Sequence, residues 1–239
     1  MKIALIGYGR MGKAIEEIAI KNGDEIVLKI TSENKELFTE ENIKKADVAI
    51  EFTNPEVAFE NIKSCLRSGV PVISGSTGWL ENLPAVINLC NELSGTFLYA
   101  SNFSIGVNIF FEINKKLASL MSSHSEYDVS MEEIHHTGKK DAPSGTAITL
   151  AQQIIQENKT KDSWTIEKTK SSNVVVITSK REDPAPGTHH VKYNSPTDDI
   201  EIIHTAHNRS GFAQGALAAA SFVKNKKGVF SMKDVLNIN

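Results

Sequence analysis

The chain has 239 residues, of which 40% are hydrophobic and 23% charged, as in an ordinary globular protein. Its formal net charge of -3 argues against a general nucleic-acid binder, which carries a basic excess to meet phosphates. No apolar run is long enough to span a bilayer, and we expect no secretory signal because the chain opens directly on a strand-like segment. Cys65 and Cys90 lie far apart among helical residues, so we interpret them as reduced core thiols and expect a cytoplasmic protein.

The first part of the chain alternates between strand patterns and helix patterns. Compact apolar runs predict strands at 2–6, 25–30, 47–52, 70–74 and 96–100. Apolar residues at helical spacing predict helices between the first two strands, at 55–67 and at 80–93. Because parallel strands need crossover connections of helix length, this order predicts a Rossmann-like, doubly wound and mostly parallel α/β domain.

The rhythm changes after residue 104. A long amphipathic helix is predicted at 105–121, and after it strands at 127–136, 173–180, 189–193 and 200–207 with one helix, 146–158, among them. Strands grouped in this way predict a smaller α+β lobe with an open mixed sheet. An alanine-rich helix at 212–223 is expected to return to the first lobe. The predicted domains are therefore 1–104 with 210–239, and 105–209.

A glycine-rich loop follows the first predicted strand and precedes a helix. Gly7, Gly9 and Gly12 fit the pattern G-x-G-x-x-G, in which missing side chains let a pyrophosphate approach the N–H groups at the helix start. The pattern alone is weak, and the alternative is a tight turn without a ligand. The strand before the loop and the βαβ order after it favour dinucleotide binding.

The acidic residue expected to bind the adenosine ribose is missing from the second strand. That strand ends at Thr31 and Ser32, with Glu33 one residue further on. Hydroxyl groups there can bond either a ribose or a 2′-phosphate, so the cofactor is NADH, NADPH or either. Because no carboxylate repels the 2′-phosphate, we expect NADPH to be accepted at least comparably to NADH.

The segment Glu133-Ile134-His135-His136-Thr137-Gly138-Lys139-Lys140-Asp141-Ala142-Pro143-Ser144-Gly145-Thr146-Ala147 combines residues that suit the binding of an anion. Ser144 can cap a helix that begins near Gly145 and Thr146, which directs their N–H groups and the helix dipole at an anion such as a carboxylate. Lys139 adds positive charge on the preceding loop.

The paired histidines of this segment suit proton transfer. Histidine titrates near neutrality and can supply a proton when hydride arrives at a neighbouring carbon. Successive strand residues point to opposite faces, so His135 and His136 share a pocket only if the strand ends there. The alternative is that both are surface residues at a strand end. The presence of Lys139 and the capped helix favours the functional interpretation.

The same segment closely resembles the signature of the dihydrodipicolinate reductase family, a glutamate followed by paired histidines, a lysine and D-A-P-S-G-T-A. The resemblance extends over nearly the whole chain. Arg10-Met11 inside the glycine loop, Phe52-Thr53-Asn54-Pro55, Gly75-Ser76-Thr77-Gly78-Trp79 and Ala100-Ser101-Asn102-Phe103-Ser104 are similar to further family motifs in the same order.

This resemblance implies NADH- or NADPH-dependent reduction of 4-hydroxy-tetrahydrodipicolinate, after loss of water, to tetrahydrodipicolinate in diaminopimelate and lysine synthesis. His135 and Lys139 would be catalytic, and His136, Gly145 and Thr146 would hold the substrate carboxylates. The implied cofactor residues are Gly7, Gly9, Arg10, Met11, Gly12, Thr31, Ser32, Gly75, Ser76, Thr77, Ala100, Ser101, Asn102, Phe103 and Arg209. The first domain would bind the dinucleotide, and the second would bind substrate and assemble a homotetramer, with no nucleic acid or membrane as partner.

Several alternatives stay open. The proton can come from His135 or from Lys139, and Arg209 can equally be a solvated surface residue. Another amino-acid or semialdehyde dehydrogenase of similar build, or a nicotinamide sensor without chemistry, would share the glycine loop. His189-His190 and His204 with His207 could suggest a metal site, but His204 and His207 would face opposite sides of a strand and no cysteine or acid lies at ligand spacing nearby, so we predict no metal.

Overall fold

The structure is a computed structural model that describes residues 1–238. It divides into two compact units, a first unit made of Met1–Ile105 and the segment that begins at Arg209, and a second unit made of Gly106–Asn208. The last residue of the predicted first domain, 239, lies outside the described residues.

The elements alternate early in the chain and group later. The strands are β1 (Lys2–Ile6), β2 (Glu25–Ile30), β3 (Val48–Glu51), β4 (Val72–Ser74), β5 (Thr96–Tyr99), β6 (Asp128–His135), β7 (Ser163–Thr165), β8 (Val174–Arg181), β9 (Gly187–Asn194), β10 (Asp199–Ala206) and β11 (Gly228–Phe230). The helices are α1 (Arg10–Lys21), α2 (Glu40–Ile43), α3 (Pro55–Arg67), α4 (Leu83–Glu92), α5 (Ile105–Met121), α6 (Gly145–Glu157), α7 (Ser210–Val223) and α8 (Met232–Leu236).

The first unit contains a parallel six-stranded sheet in the order β11-β5-β4-β3-β1-β2. Successive residues of β1 pack into two different cores: Ile3 and Leu5 lie with residues of α1 and α7, whereas Ala4 and Ile6 lie with residues of α3 and α4. Helices therefore cover both faces of the sheet, which explains why apolar residues follow one another in its strands instead of alternating with polar ones. The predicted Rossmann-like, doubly wound domain is confirmed.

The second unit contains a mixed five-stranded sheet in the order β10-β9-β6-β8-β7. Strand β6 at its centre runs parallel to β8 and antiparallel to β9. One face of the sheet packs on α5 and α6, so every second residue of β6 is buried, from Val129 to His135. This confirms the predicted smaller α+β lobe with an open mixed sheet.

Short elements and helix starts account for the differences from prediction. The predicted helix 80–93 consists of a 3₁₀ turn, Leu80–Asn82, followed by α4, whose first turn contains Pro84. Strands β7 and β11 and helix α8 have three to five residues each, too few to show a periodic pattern. Cys65 and Cys90 are buried free thiols, as predicted. Among the described residues, no helix has the length and apolar character needed to cross a membrane.

Candidate active site

The glycine loop of the first unit is closed and tightly packed. Gly7 has a φ of +94°, and a Cβ atom there would overlap the carbonyl group of Phe52. The N–H groups of Gly7 and Tyr8 both donate to the Ile30 carbonyl oxygen at 3.0 Å, which fixes the loop on β2. A Cβ atom on Gly12 would lie 2.6 Å from the Gly7 carbonyl oxygen, so helix α1 approaches the loop as closely as backbone allows. This cradle fits the pyrophosphate of a dinucleotide.

A cavity of about 410 Å³ adjoins this loop within the first unit. Its wall contains four residues predicted to bind cofactor, Gly7, Gly9, Thr31 and Ser32. The wall also contains residues that sequence reasoning missed, namely Tyr8, Ile30, Lys35, Phe38, Thr53, Asn54, Val57 and Asn61. The Thr31 hydroxyl donates to Asn34 Oδ1 at 3.1 Å, so this hydroxyl is already engaged in the turn after β2.

Among the residues that the structure describes, Lys35 is the one cationic residue in the cavity wall. It is exposed and begins the 3₁₀ turn Lys35–Leu37, a few residues beyond the strand end where an acid was expected. A lysine beside Thr31 and Ser32 favours a 2′-phosphate over a bare ribose hydroxyl. The sequence analysis did not single out Lys35, because nothing in the pattern of the charged stretch 33–45 marked one lysine there.

The other predicted cofactor residues do not contribute to the wall of this cavity: Arg10, Met11, Gly12, Gly75, Ser76, Thr77, Ala100, Ser101, Asn102, Phe103 and Arg209. Arg10 and Met11 form the start of α1, and Phe103 is buried with its ring centroid 5.5 Å from that of Phe52. Arg209 is exposed at the N-terminus of α7. Their contact with cofactor stays a prediction.

Ser76 belongs to a buried network around Glu51, whose side chain has no exposed surface. The Glu51 carboxylate accepts hydrogen bonds from Ser74 Oγ at 2.6 Å, Ser76 Oγ at 2.8 Å and the Thr53 N–H at 3.0 Å, and also from the Thr53 hydroxyl. Ser74 ends β4, Thr53 lies in the loop after β3 and Ser76 in the loop after β4. Glu51 therefore ties together these two loops, of which the second is the one that the family resemblance assigns to cofactor binding.

In the second unit, strand register brings together residues that are distant in the sequence. Glu133 on β6 pairs with Ser179 on β8 and with His189 on β9, and His135 pairs with Arg181. Glu133 and His135 are two residues apart and therefore lie on the same, buried face of the sheet. The i, i+2 spacing of Glu133 and His135 was visible in the sequence, whereas the contributions of β8 and β9 were not.

The Glu133 carboxylate is fully buried and surrounded by donors. It accepts hydrogen bonds from the Ser144 N–H at 3.0 Å, Ser179 Oγ at 2.8 Å and Arg181 Nη2 at 3.3 Å. Burial opposes ionisation, but these hydrogen bonds and the charge of His135 outweigh it and hold the pKa of Glu133 below its usual range. We therefore treat Glu133 as a buried carboxylate anion.

Two buried histidine rings face this anion. His135 Nδ1 lies 3.4 Å from Glu133 Oε2, and the ring centroids of His135 and His189 are 5.2 Å apart. His189 Nε2 lies 3.2 Å from Ser144 Oγ. Burial lowers the pKa of His135, although the Glu133 charge opposes this, and burial together with the charge of His135 lowers the pKa of His189 to about 3. His189 is therefore neutral at physiological pH.

The anion-binding elements predicted from the sequence lie on the segment after β6. Ser144 caps α6 as predicted, because its Oγ accepts the Ala147 N–H at 3.2 Å. Gly145 begins the helix and is exposed, with no atom within 4 Å of the position a Cβ would take, and Thr146 follows it. Lys139 Nζ lies 2.7 Å from Asp141 Oδ2, and a substrate carboxylate would compete with Asp141 for this ammonium group.

His136 lies just beyond the end of β6, so strand pairing does not fix the face of the sheet to which its side chain points. Its N–H donates to the Ala185 carbonyl oxygen at 2.7 Å, and its carbonyl oxygen accepts the Lys139 N–H at 3.1 Å. The strand ends between the two histidines, which is the condition under which both can serve one site. Their joint use by a substrate stays a prediction.

Glu133, His135 and His189 are residue types that bind metals, and one ligand atom of each lies within 4.8 Å of the others. The Arg181 guanidinium at 3.3 Å already supplies a positive charge to this carboxylate. We therefore interpret the group as a hydrogen-bonded cluster, and the predicted absence of a metal stays a prediction. Of the histidines weighed as ligands from the sequence, His189 belongs to this group, whereas His190, His204 and His207 do not.

Comparisons with known proteins agree with this architecture. Residues 1–103 match the family model described as the N-terminus of dihydrodipicolinate reductase, and residues 106–236 match that of its C-terminus. A 4-hydroxy-tetrahydrodipicolinate reductase from Christiangramia forsetii is 49% identical over 99% of this chain and 98% of its own length. Another from Methanoculleus marisnigri is 35% identical over the full length of both chains.

A solved structure shows the same fold. The dipicolinate-bound dihydrodipicolinate reductase from Paenisporosarcina sp. TG-14 has a TM-score of 0.78 and 24% identity, covering 100% of this chain and 99% of its own. The fold, with its glycine loop at the start of a parallel sheet, is that of a dinucleotide-binding protein. Within that class, the chain belongs to the dihydrodipicolinate reductase family. This confirms the predicted NAD(P)H-dependent reductase of diaminopimelate and lysine synthesis.

Proposed function

We propose that this chain reduces 4-hydroxy-tetrahydrodipicolinate, after loss of water, to tetrahydrodipicolinate, with His135 as the proton donor. The observation that carries the proposal is the position of a buried, titratable His135 at the end of β6, followed directly by Lys139 and the capped N-terminus of α6. A relative of the same fold binds dipicolinate, a planar cyclic dicarboxylate. The substrate proposed here has the same charge and a similar shape.

The division of chemistry follows from the residue types. When bound, the reduced nicotinamide supplies a hydride to the conjugated double bond of the dehydrated substrate. The neighbouring position must gain one proton, and His135 in its protonated form provides it. Lys139 and the N–H groups of Gly145 and Thr146 hold the carboxylates, with His136 beside them. Holding both carboxylates orients the ring, so that the proton and the hydride arrive at defined atoms.

We assign cofactor binding to the first domain, 1–104 with 210–239, and substrate binding to the second, 105–209. The glycine cradle and the adjoining cavity support the first assignment. The cluster around Glu133 and the start of α6 supports the second. Because the family accepts NADH or NADPH, the presence of Lys35 supports use of NADPH at least comparable to that of NADH.

The test is the loss of reduced-nicotinamide absorbance when purified protein meets the product of dihydrodipicolinate synthase, formed in the same cuvette. Turnover with this substrate, and competitive inhibition by pyridine-2,6-dicarboxylate, are the expected results. An amino-acid or semialdehyde dehydrogenase would be idle in this assay but active with its own substrate. A nicotinamide sensor would bind the dinucleotide and oxidise none of it.

The open face of the second sheet supports a homotetramer. On β10 the side chain of Ile203 is 52% exposed, although this strand lies beside the well-buried β9. An exposed isoleucine on an uncovered sheet face is suited to contact with a second copy. Light scattering should give a tetramer for the wild type and smaller species for Ile203→Lys. A wild-type monomer would contradict the assignment.

A further inference from the structure

The Glu133 carboxylate carries its charge in a place where burying a charge is costly. It is a fully buried anion at the centre of β6, and hydrogen bonds from α6 and β8 fix its position. Burying a carboxylate is costly even when it is paired, so such a group is expected where its charge has a task. The Glu133 anion faces two buried histidine rings without a good hydrogen bond to either, and the ring of His135 is the nearer, at 3.4 Å from Nδ1 against 4.0 Å from His189 Nε2.

The geometry distinguishes the two ring nitrogens of His135. Nδ1 lies 3.4 Å from Glu133 Oε2, at the outer limit of a hydrogen bond. Nε2 faces Gly187, where a Cβ atom would lie only 3.1 Å away. Hydrogen bonds of catalytic groups are often long in the free enzyme and shorten when substrate binds. A carboxylate lies beside Nδ1 and a residue without a side chain lies beside Nε2, so the two nitrogens are suited to different tasks.

We propose that Glu133 is a positioning residue for the proton donor: it holds the Nδ1–H of His135, so that Nε2 carries the transferable proton, and Gly187 keeps the space beside Nε2 open. This inference rests on the proposed role of His135. Glu133 itself does not touch the substrate. It acts by fixing the tautomer and stabilising the charged form of the ring, as a carboxylate behind a histidine does in other enzymes.

The electrostatic surroundings give this idea a measurable direction. The titratable groups that act on His135 are Glu133 on β6, His189 on β9, Arg181 on β8, and Lys139 and Asp141 on the loop after β6. Burial lowers the pKa of His135, and the Glu133 charge is the largest influence in the opposite direction. Removing that charge while keeping the shape of the side chain must therefore lower this pKa further.

The experiment compares Glu133→Gln with Glu132→Gln, which makes the same chemical change one residue away, on the other face of β6, where Glu132 pairs with Lys180. An acid is active only while protonated, so kcat falls as pH rises through its pKa. For Glu133→Gln we expect the alkaline limb of kcat, and the His135 pKa from NMR titration, to move together to lower pH by about one to three units. At a pH above the alkaline limb, kcat of Glu133→Gln should be about tenfold lower than that of the wild type for each unit by which the pKa falls. For Glu132→Gln both should match the wild type.

Two measurements distinguish a failure of the inference on Glu133 from a failure of the proposed role of His135. If Glu133→Gln lowers kcat but leaves the limb and the His135 pKa unchanged, Glu133 is only structural and the inference is wrong, while the proposed function stands. If His135→Asn keeps the wild-type limb, His135 is not the donor, and the proposed role of His135 fails together with the inference. The dispersed amide NMR spectrum of the second unit checks that each variant is folded there, and NADH affinity checks the first unit, to which the dinucleotide cradle belongs.

A measurement on the wild type covers the case in which Glu133→Gln does not fold. The ¹⁵N shifts of the neutral His135 ring report which nitrogen carries the hydrogen. The inference requires the Nδ1–H tautomer, and an Nε2–H tautomer would overturn it. Gly187→Ala adds a second prediction, because crowding Nε2 should lower kcat about tenfold or more with little change in the His135 pKa.

Discussion

Replacing Lys35 by alanine should alter the choice between NADPH and NADH. Lys35 is the cation in the cavity beside Thr31 and Ser32, and its side chain is exposed. A unit charge about 4 Å from another gains about 1 kcal/mol in water, and a phosphate monoester carries nearly two charges. For a fully solvated pair the gain is thus about 2 kcal/mol, or about thirtyfold, and salt screening of an exposed side chain reduces it.

We therefore expect Lys35→Ala to raise the ratio of the NADPH to the NADH dissociation constant by about threefold to thirtyfold. Titration of the nicotinamide fluorescence of each cofactor measures both constants, and the effect should shrink as salt increases. Lys45→Ala is the matched control, because Lys45 bonds Asn42 and is not part of the cavity wall. An unchanged ratio in Lys35→Ala would refute the assignment of this cavity to the adenosine phosphate.

Three further changes test other parts of the structure. Lys139→Ala should raise KM for the dicarboxylate at least tenfold with a smaller fall in kcat, whereas Lys140→Ala should change neither, as steady-state kinetics can show. Glu51→Gln should weaken NADH binding about tenfold, because the amide replaces one of the two carboxylate oxygens that accept from Ser74, Thr53 and Ser76. Affinity for pyridine-2,6-dicarboxylate should stay constant, and equal losses of both affinities would indicate general destabilisation. The His189 pKa of about 3 lies below that of an unfolded histidine, so only the unfolded chain gains this proton below about pH 6.5 and stability falls with acidification. The free energy of unfolding, measured in urea, should fall by about 2 kcal/mol less for His189→Gln than for the wild type when the pH is lowered from about 7 to about 5. Equal decreases in the two proteins would contradict a buried neutral ring.

The parts of the structure that depend on local pattern were predictable from the sequence. Apolar runs and helical spacing placed β2, α3 and α5, and the residue types around Ser144 predicted the cap of α6. Each of these features is decided within a few neighbouring residues, by burial periodicity or by one side chain bonding a nearby N–H group.

The parts that depend on strand pairing were not predictable. His189 and Ser179 reach Glu133 only because β9 and β8 pair with β6 in one particular register. A shift of one residue would place all of these side chains on the other face, and no local feature of three separated strands specifies their register. For the same reason the histidines were considered by sequence neighbourhood, which grouped His189 with His190 rather than with His135. Lys35 was missed because one lysine in a charged turn carries no pattern.

The most direct test of the central claim is kcat of His135→Ala with the dihydrodipicolinate synthase product. An acid that acts as the new C–H bond forms contributes mainly to the transition state, so kcat should fall by about 10² to 10⁴-fold with a smaller change in KM. NADH affinity should stay at the wild-type value, and exposed His124 replaced by alanine should behave as wild type. A near-normal kcat with a raised KM would make His135 a binding residue, and the proton would then come from Lys139 or water.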